Sequence, residues 1–256
     1  MPPFVLVTLL VAILANGSQA AESGPLLPLA KLDRLAIEKS LGKGAIGEAI
    51  SAPNVDDPAR YLALAAGHRT YRVITGPDGN RDETHRSFPM KHDGGNVTWH
   101  YELGSGEIGF LDAKADGSFV MSGIQDFGEG VWTQYSPPEP VLIKGLAAGD
   151  ESKVTMAVKV YDLNKPEVLK HEGSLDVIYR YLGAYRLTLP AGTYDAILLK
   201  STFNGKIGPA TVDDTQYRFF VAHLGMAATV ERREVSAFLL YHRHLDVAKV
   251  LTARPN

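Results

Sequence analysis

From Tyr71 onward, apolar and polar residues alternate in short runs. In SLDVIYRYL, Leu175, Val177, Tyr179 and Tyr181 fall on one face, and Asp176 and Arg180 fall on the other. That period of two belongs to a strand with one buried and one wet face. YRVIT and RDETHRSF flank the turn residues GPDGN and predict a hairpin. NVTWHYEL, EIGFLDA and SFVMSG read as a meander. KVTMAVKVYDL, SLDVIYRYL, AYRLTLP, TYDAILLKSTF, TQYRFFVAHL, MAATVERREV and SAFLLYHRHL continue it. No helical pattern alternates with these runs, which argues against a parallel α/β sheet. The predicted fold is mainly β: a large curved antiparallel sheet or open β-barrel with a short N-terminal helix.

The helix is LDRLAIEKSLG, where Leu32, Leu35, Ala36, Ile37 and Leu41 recur at helical spacing and Gly42 and Gly44 follow. It would plug or cover one face of the sheet. Ahead of it, Phe4 to Leu14 form an apolar run broken only by Thr8, followed by ANGSQAAES. The run is short for a membrane span but fits the core of an export signal, with Ser18 and Ala20 as the small residues before a cleavage site. No Lys or Arg precedes Lys31, so only the α-amino group charges the segment's start. The expected organisation is a signal peptide over 1–20, a linker and helical segment over 21–55, and an antiparallel β domain over 56–256. The expected location is periplasmic or secreted.

Composition narrows the chemistry. The chain has 256 residues, 45% of them hydrophobic, and a net charge of -3. It can bury a core unaided and has no positive excess to attract nucleic acid. With no cysteine, it has neither disulfides nor a thiolate nucleophile or ligand. No second apolar run predicts stable membrane insertion.

Several motifs fail their structural context. PDGNRDETH places Asp78, Asn80 and Asp82 at the opening spacing of a calcium loop. That loop needs Gly sixth and Glu twelfth, where Glu83 and Pro89 stand. A turn is the better reading. GKGAIG follows a helix instead of a strand, so it reads as helix termination and not as a dinucleotide loop. SLGK has no Lys-Thr-Gly partner, and no Gly-x-Ser-x-Gly elbow occurs. His242, His244 and Asp246 share one strand face and could begin a metal or hydrolytic site. Asp82, Glu83 and His85 are a second such set. Neither completes a constellation, so no catalytic residue, metal ligand or cofactor is assigned. The aromatics Trp99, Tyr101, Phe110, Trp132, Tyr194, Phe203 and Phe219 are spread over many strands. They are the candidate ligand-binding residues, either lining an apolar cavity or forming an ordinary core.

Three segments resemble a family of bacterial exported β-proteins of unknown function: DPARYLALAAGHRTYRV, LTLPAGTYDAILL and YRFFVAHLGMAATVERR. The resemblance runs from about Asp56 to Leu251, with Gly67, Gly192 and Gly225 as matching turn glycines. The chain is more distantly similar to periplasmic lipoprotein carriers. That likeness implies an open barrel, a helical lid and binding of a lipid or acyl chain. The resulting expectation is a non-catalytic exported protein that binds a hydrophobic small molecule or an envelope protein. A periplasmic hydrolase or metal enzyme using His242 and His244, and a protein-interaction scaffold, are the alternatives. Export predicts that protein recovered from the envelope has an intact mass beginning at Ala21. A mass that retains residues 1–20 would refute the cleavage.

Overall fold

The computed structural model describes residues 24–64, 67–75, 79–91, 97–104, 106–237 and 241–253. The signal segment, Asp78 and the loop residue His92 lie outside them.

Twelve strands follow one another in an antiparallel meander: β2 (Gly67–Ile74), β3 (Arg81–Lys91), β4 (Val97–Glu102), β5 (Glu107–Ala113), β6 (Phe119–Asp126), β7 (Val131–Leu142), β8 (Glu151–Asp162), β9 (Leu169–Leu189), β10 (Gly192–Ile207), β11 (Ala210–Val221), β12 (Gly225–Ala237) and β13 (Tyr241–Leu251). Each pairs with its sequence neighbours, and β13 returns to β2. The mainly β, antiparallel expectation therefore holds, as a fully closed up-and-down barrel. The closing seam is short, running from Ala248↔Ile74 to Leu251↔Tyr71.

The alternation read from SLDVIYRYL sets the inside and outside. Leu175, Val177, Tyr179 and Tyr181 are buried, while Asp176 and Arg180 face solvent. On β8, Met156 and Val158 point inward and Lys153, Thr155 and Lys159 point outward. On β8 and β9 the inner face is thus apolar and the outer face polar, the reverse of the pattern of a membrane-spanning strand. Among the described residues, no helix is long and apolar enough to cross a membrane.

SLDVIYRYL and AYRLTLP, expected as two strands, are one 21-residue strand, β9. Its register shifts around Leu182, where Leu199 pairs Tyr181 and Leu198 pairs Gly183. Gly183 sits at φ 128, a conformation that costs glycine little. This bulge bends the strand without ending it. β8 pairs the first part of β9. A short strand after the helix, β1 (Ile46–Ile50), pairs its far end. Sequence reading missed β1 because the glycines before it signalled only a helix stop. It missed β7 because Pro137, Pro138 and Pro140 argue against a ladder strand. The β6–β7 pairing is indeed broken there, jumping from Gly123↔Gln134 to Met121↔Glu139.

The predicted helix is α1 (Lys31–Leu41), with Gly42 accepting its end at φ 95. It lies on the outer face of β10–β13. Ile37, fully buried, packs there among Tyr185, Leu198, Phe219 and Val230. Asp33 accepts hydrogen bonds from Lys200 Nζ and Tyr217 Oη, both at 2.7 Å. Arg34 donates to the Ile46 and Gly47 carbonyls at 2.7 and 3.0 Å, occupying the open edge of β1. A second helix, α2 (Pro58–Leu62), and its flanks plug one barrel end. Ala52, Val55, Tyr61, Leu62 and Leu64 join the interior core. Tyr181 Oη donates to the Pro53 carbonyl at 2.8 Å, and Val55 and Leu146 are bonded through their backbones.

Replacing Ile37 with Ala should destabilise the protein by roughly 2–5 kcal/mol, from lost burial and the cavity left behind. Leu35→Ala, at a position 54% exposed, should change stability by less than about 0.5 kcal/mol. Urea denaturation of both variants checks this. Equal effects would mean that α1 is not docked through Ile37.

Candidate functional site

The seven candidate aromatics occupy three separate compartments. Trp99 and Tyr101 line the barrel interior near the plug. Phe203 is also inside, packed with Met156, Val158, Leu175 and Val177. Tyr194 and Phe219 belong to the buried layer beneath α1 on the opposite face. Phe110 and Trp132 line a groove on the outer surface. The seven do not enclose one cavity.

The interior is occupied by a plugged apolar core and by charge. Arg218 on β11 donates to Glu139 on β7 at 2.8 Å and also to Gln216. Gln216 donates to Asp214 at 2.7 Å, and Arg233 reaches the same carboxylate at 3.4 Å. Burial, with Glu231 close by, pushes the Asp214 carboxyl up to about 6. Burial likewise raises Glu107. Arg218 Nη1 and Asp214 Oδ1 are buried without hydrogen-bond partners among the described residues.

A second interior cluster contains the His85 and Glu83 of the sequence-stretch PDGNRDETH. Asp82 points outward and pairs with Arg72 across the hairpin at 3.2 Å. His85 is 1% exposed, stacks 4.4 Å from the Tyr71 ring, and faces Glu83 at 3.4 Å. Burial and the Lys249 charge lower its pKa to about 4, against the pull of Glu83. Burial alone would raise Glu83, but Lys249, Arg81 and His85 hold it below the ordinary carboxylate range. The turn at Gly104 seals the pair, since a Cβ there would come within 2.8 Å of the His85 ring. A base covered in this way has no room for a substrate, so the pair reads as structural.

His242, His244 and Asp246 lie on the outer face of β13. Asp246 is held by Lys39 at 3.1 Å and by Arg232 at 3.2 Å, and His244 sits 3.3 Å from it. The carboxylate is already committed to cations. Among the described residues, no group of three His, Asp or Glu is arranged to hold a metal. Of the three β13 residues, His244 borders a groove beside α1 of about 570 Å³. Its two cations are each held by a carboxylate, Lys200 by Asp33 and Arg232 by Asp246.

The outer groove over β4–β8, about 770 Å³, differs in that respect. His100 and Phe110 form one wall, edge to face at 4.7 Å. Trp132 and Tyr161 form the other, with centroids 6.3 Å apart. Gly123 is the floor, where a Cβ would strike the Thr133 carbonyl and approach the Trp132 indole nitrogen. The broken β6–β7 ladder opens the surface at this point. Gln134 and Lys159 line the groove, and among the described residues neither side chain has a hydrogen-bond or ion-pair partner. Gln134 shares a face with Trp132, and Lys159 shares one with Tyr161. These pairings were visible as spacings of two, but the sequence did not show which face was outward.

No family model matches the chain, and no curated relative matches it. Two solved structures are similar to it. One, from Bacteroides fragilis, is described as exported with a YmcC-like fold. It is 13% identical, with a TM-score of 0.45, covering 75% of this chain and 95% of that one. The other, from Parabacteroides distasonis, is described as a lipoprotein. It is 11% identical, with a TM-score of 0.37, covering 77% and 98%.

The interior groups set opposite pH dependences. His85 has a depressed folded pKa, so its contribution is present above about 6.5 and is lost as pH falls toward 4. Asp214 has a raised folded pKa, so its contribution is present below 3.8 and is lost as pH rises through about 6. Relative to wild type, Asp214→Asn should gain roughly 3 kcal/mol between pH 4 and 7.5. The deficit of His85→Phe should shrink by a similar amount from pH 7 to 4. Urea midpoints across this range test both. Profiles parallel to wild type would show that neither group titrates as its surroundings require.

Proposed function

We propose that this is an exported, non-catalytic binding protein that takes an amphipathic envelope molecule in the groove of Phe110, Trp132 and Tyr161. The observation that carries the reading is the groove's composition. Two aromatic walls flank Gln134 and Lys159, whose side chains have no hydrogen-bond or ion-pair partner among the described residues. Partly exposed aromatic rings beside unpaired polar groups are what a small-molecule site offers: area for affinity and a few directed bonds for orientation. Export rests on the apolar run from Phe4 to Leu14 and the small residues at Ser18 and Ala20.

This reading puts the ligand on the outer surface and not, as the carrier resemblance implied, inside the barrel. The plug, packed aromatics and the Arg218–Glu139 ion pair in the interior favour this placement. Native mass spectrometry of protein released from the envelope by osmotic shock tests the reading. A reproducible added mass on wild type, absent from Trp132→Ala, is the expected result. The same mass on both proteins, or none on wild type, would overturn the groove as the binding site.

A further inference from the structure

We infer that the ligand of this groove is a glycan carrying an acidic sugar, an assignment that rests on the groove reading above and names its chemistry. The arrangement of polar and aromatic groups separates this ligand from an acyl chain. An alkyl chain laid between the walls would cover the Gln134 amide and the Lys159 ammonium without bonding them, and burying an unsatisfied polar group is costly. A sugar ring meets both demands at once. Its C–H face packs on an aromatic ring while its hydroxyls, at the ring edge, bond to an amide such as Gln134. The walls lie on different strands, His100 and Phe110 on β4 and β5, Trp132 and Tyr161 on β7 and β8. Five adjacent strands span roughly 19 Å, which suits an elongated chain of rings better than one compact molecule.

The charge assigns the acid. Lys159 is the charged residue of the groove lining; Glu172 stands opposite it on β9, and among the described residues Lys159 forms no ion pair. The grooved face thus presents a cation that is not engaged in an ion pair beside stacking surfaces, complementary to a sugar carboxylate. The groove beside α1 lacks this property because its cations are already paired.

The two tryptophans make the test direct. Trp99 faces the interior and Trp132 the groove, so Trp99→Phe leaves Trp132 as the sole indole reporter. Titrating that variant with tetragalacturonate should shift Trp132 emission saturably, and the response should weaken at 1 M salt. Cellotetraose should bind more weakly, and dodecanoate should give no response. Adding Lys159→Ala, at an exposed strand position, should weaken the uronate on the order of tenfold and leave cellotetraose unchanged. Saturable dodecanoate binding without an oligosaccharide response would overturn the glycan while leaving the groove as a binding site. Equal affinity for uronate and neutral sugar, unaffected by Lys159→Ala, would overturn the acidic assignment. No response to any of the three probes would overturn the glycan inference, and the native mass spectra of wild type and Trp132→Ala would separately decide the groove.

Discussion

The ion pair between Arg218 and Glu139 joins β11 to β7, strands that are not neighbours in the ring. Twelve strands enclose more volume than one face of aliphatic side chains fills. The chain meets this constraint from two directions. The segment from Ala52 to Leu64 folds into one end as an apolar plug, and charged side chains bridge the walls farther along. A bridge of this kind is weak evidence of net stability, because both charges lost their water. It does fix which walls lie opposite each other. Deleting one partner would strand the other charge, at a cost of roughly 3–5 kcal/mol. Arg218, Asp214 and Glu139 are therefore best understood as setting the barrel's cross-section.

With the interior committed in this way, the proposed binding groove lies on the outside. The prolines of β7 interrupt its ladder with β6, and Gly123 leaves a floor without a side chain. The same irregularity that costs backbone hydrogen bonds creates the concave surface where Trp132 stands. Strand geometry then directs Gln134 to the same side.

Much of the fold was legible because a period of two is a local signal. The face of β9 could be read from Leu175 to Tyr181 without knowing any partner strand. Closure was not legible, since the pairing of Leu251 with Tyr71 joins residues far apart in sequence and leaves no mark in either segment. The site was only partly legible. Phe110 and Trp132 were among the candidates, but so were Phe203 and Phe219, which are core residues. An aromatic inside a sheet and one outside it have the same local pattern. The distinction depends on which face the barrel turns inward, and α1 complicates it further by burying the outer face of β10–β13. His85 shows the converse. Beside acidic residues it suggested chemistry, and in the structure it is a stacked ring under the Gly104 turn.

The short seam between β2 and β13 has a consequence for how the molecule comes into being. The ring cannot lock until the final strand is available, whatever hairpins have formed before it. A chain emerging from its N-terminus therefore remains an unlocked meander for most of its synthesis, with Tyr71 and Val73 waiting for partners almost the full length of the domain away. Such a chain stays threadable through a narrow channel until nearly all of it has passed. It becomes a barrel only when its last strand arrives on the same side as its first.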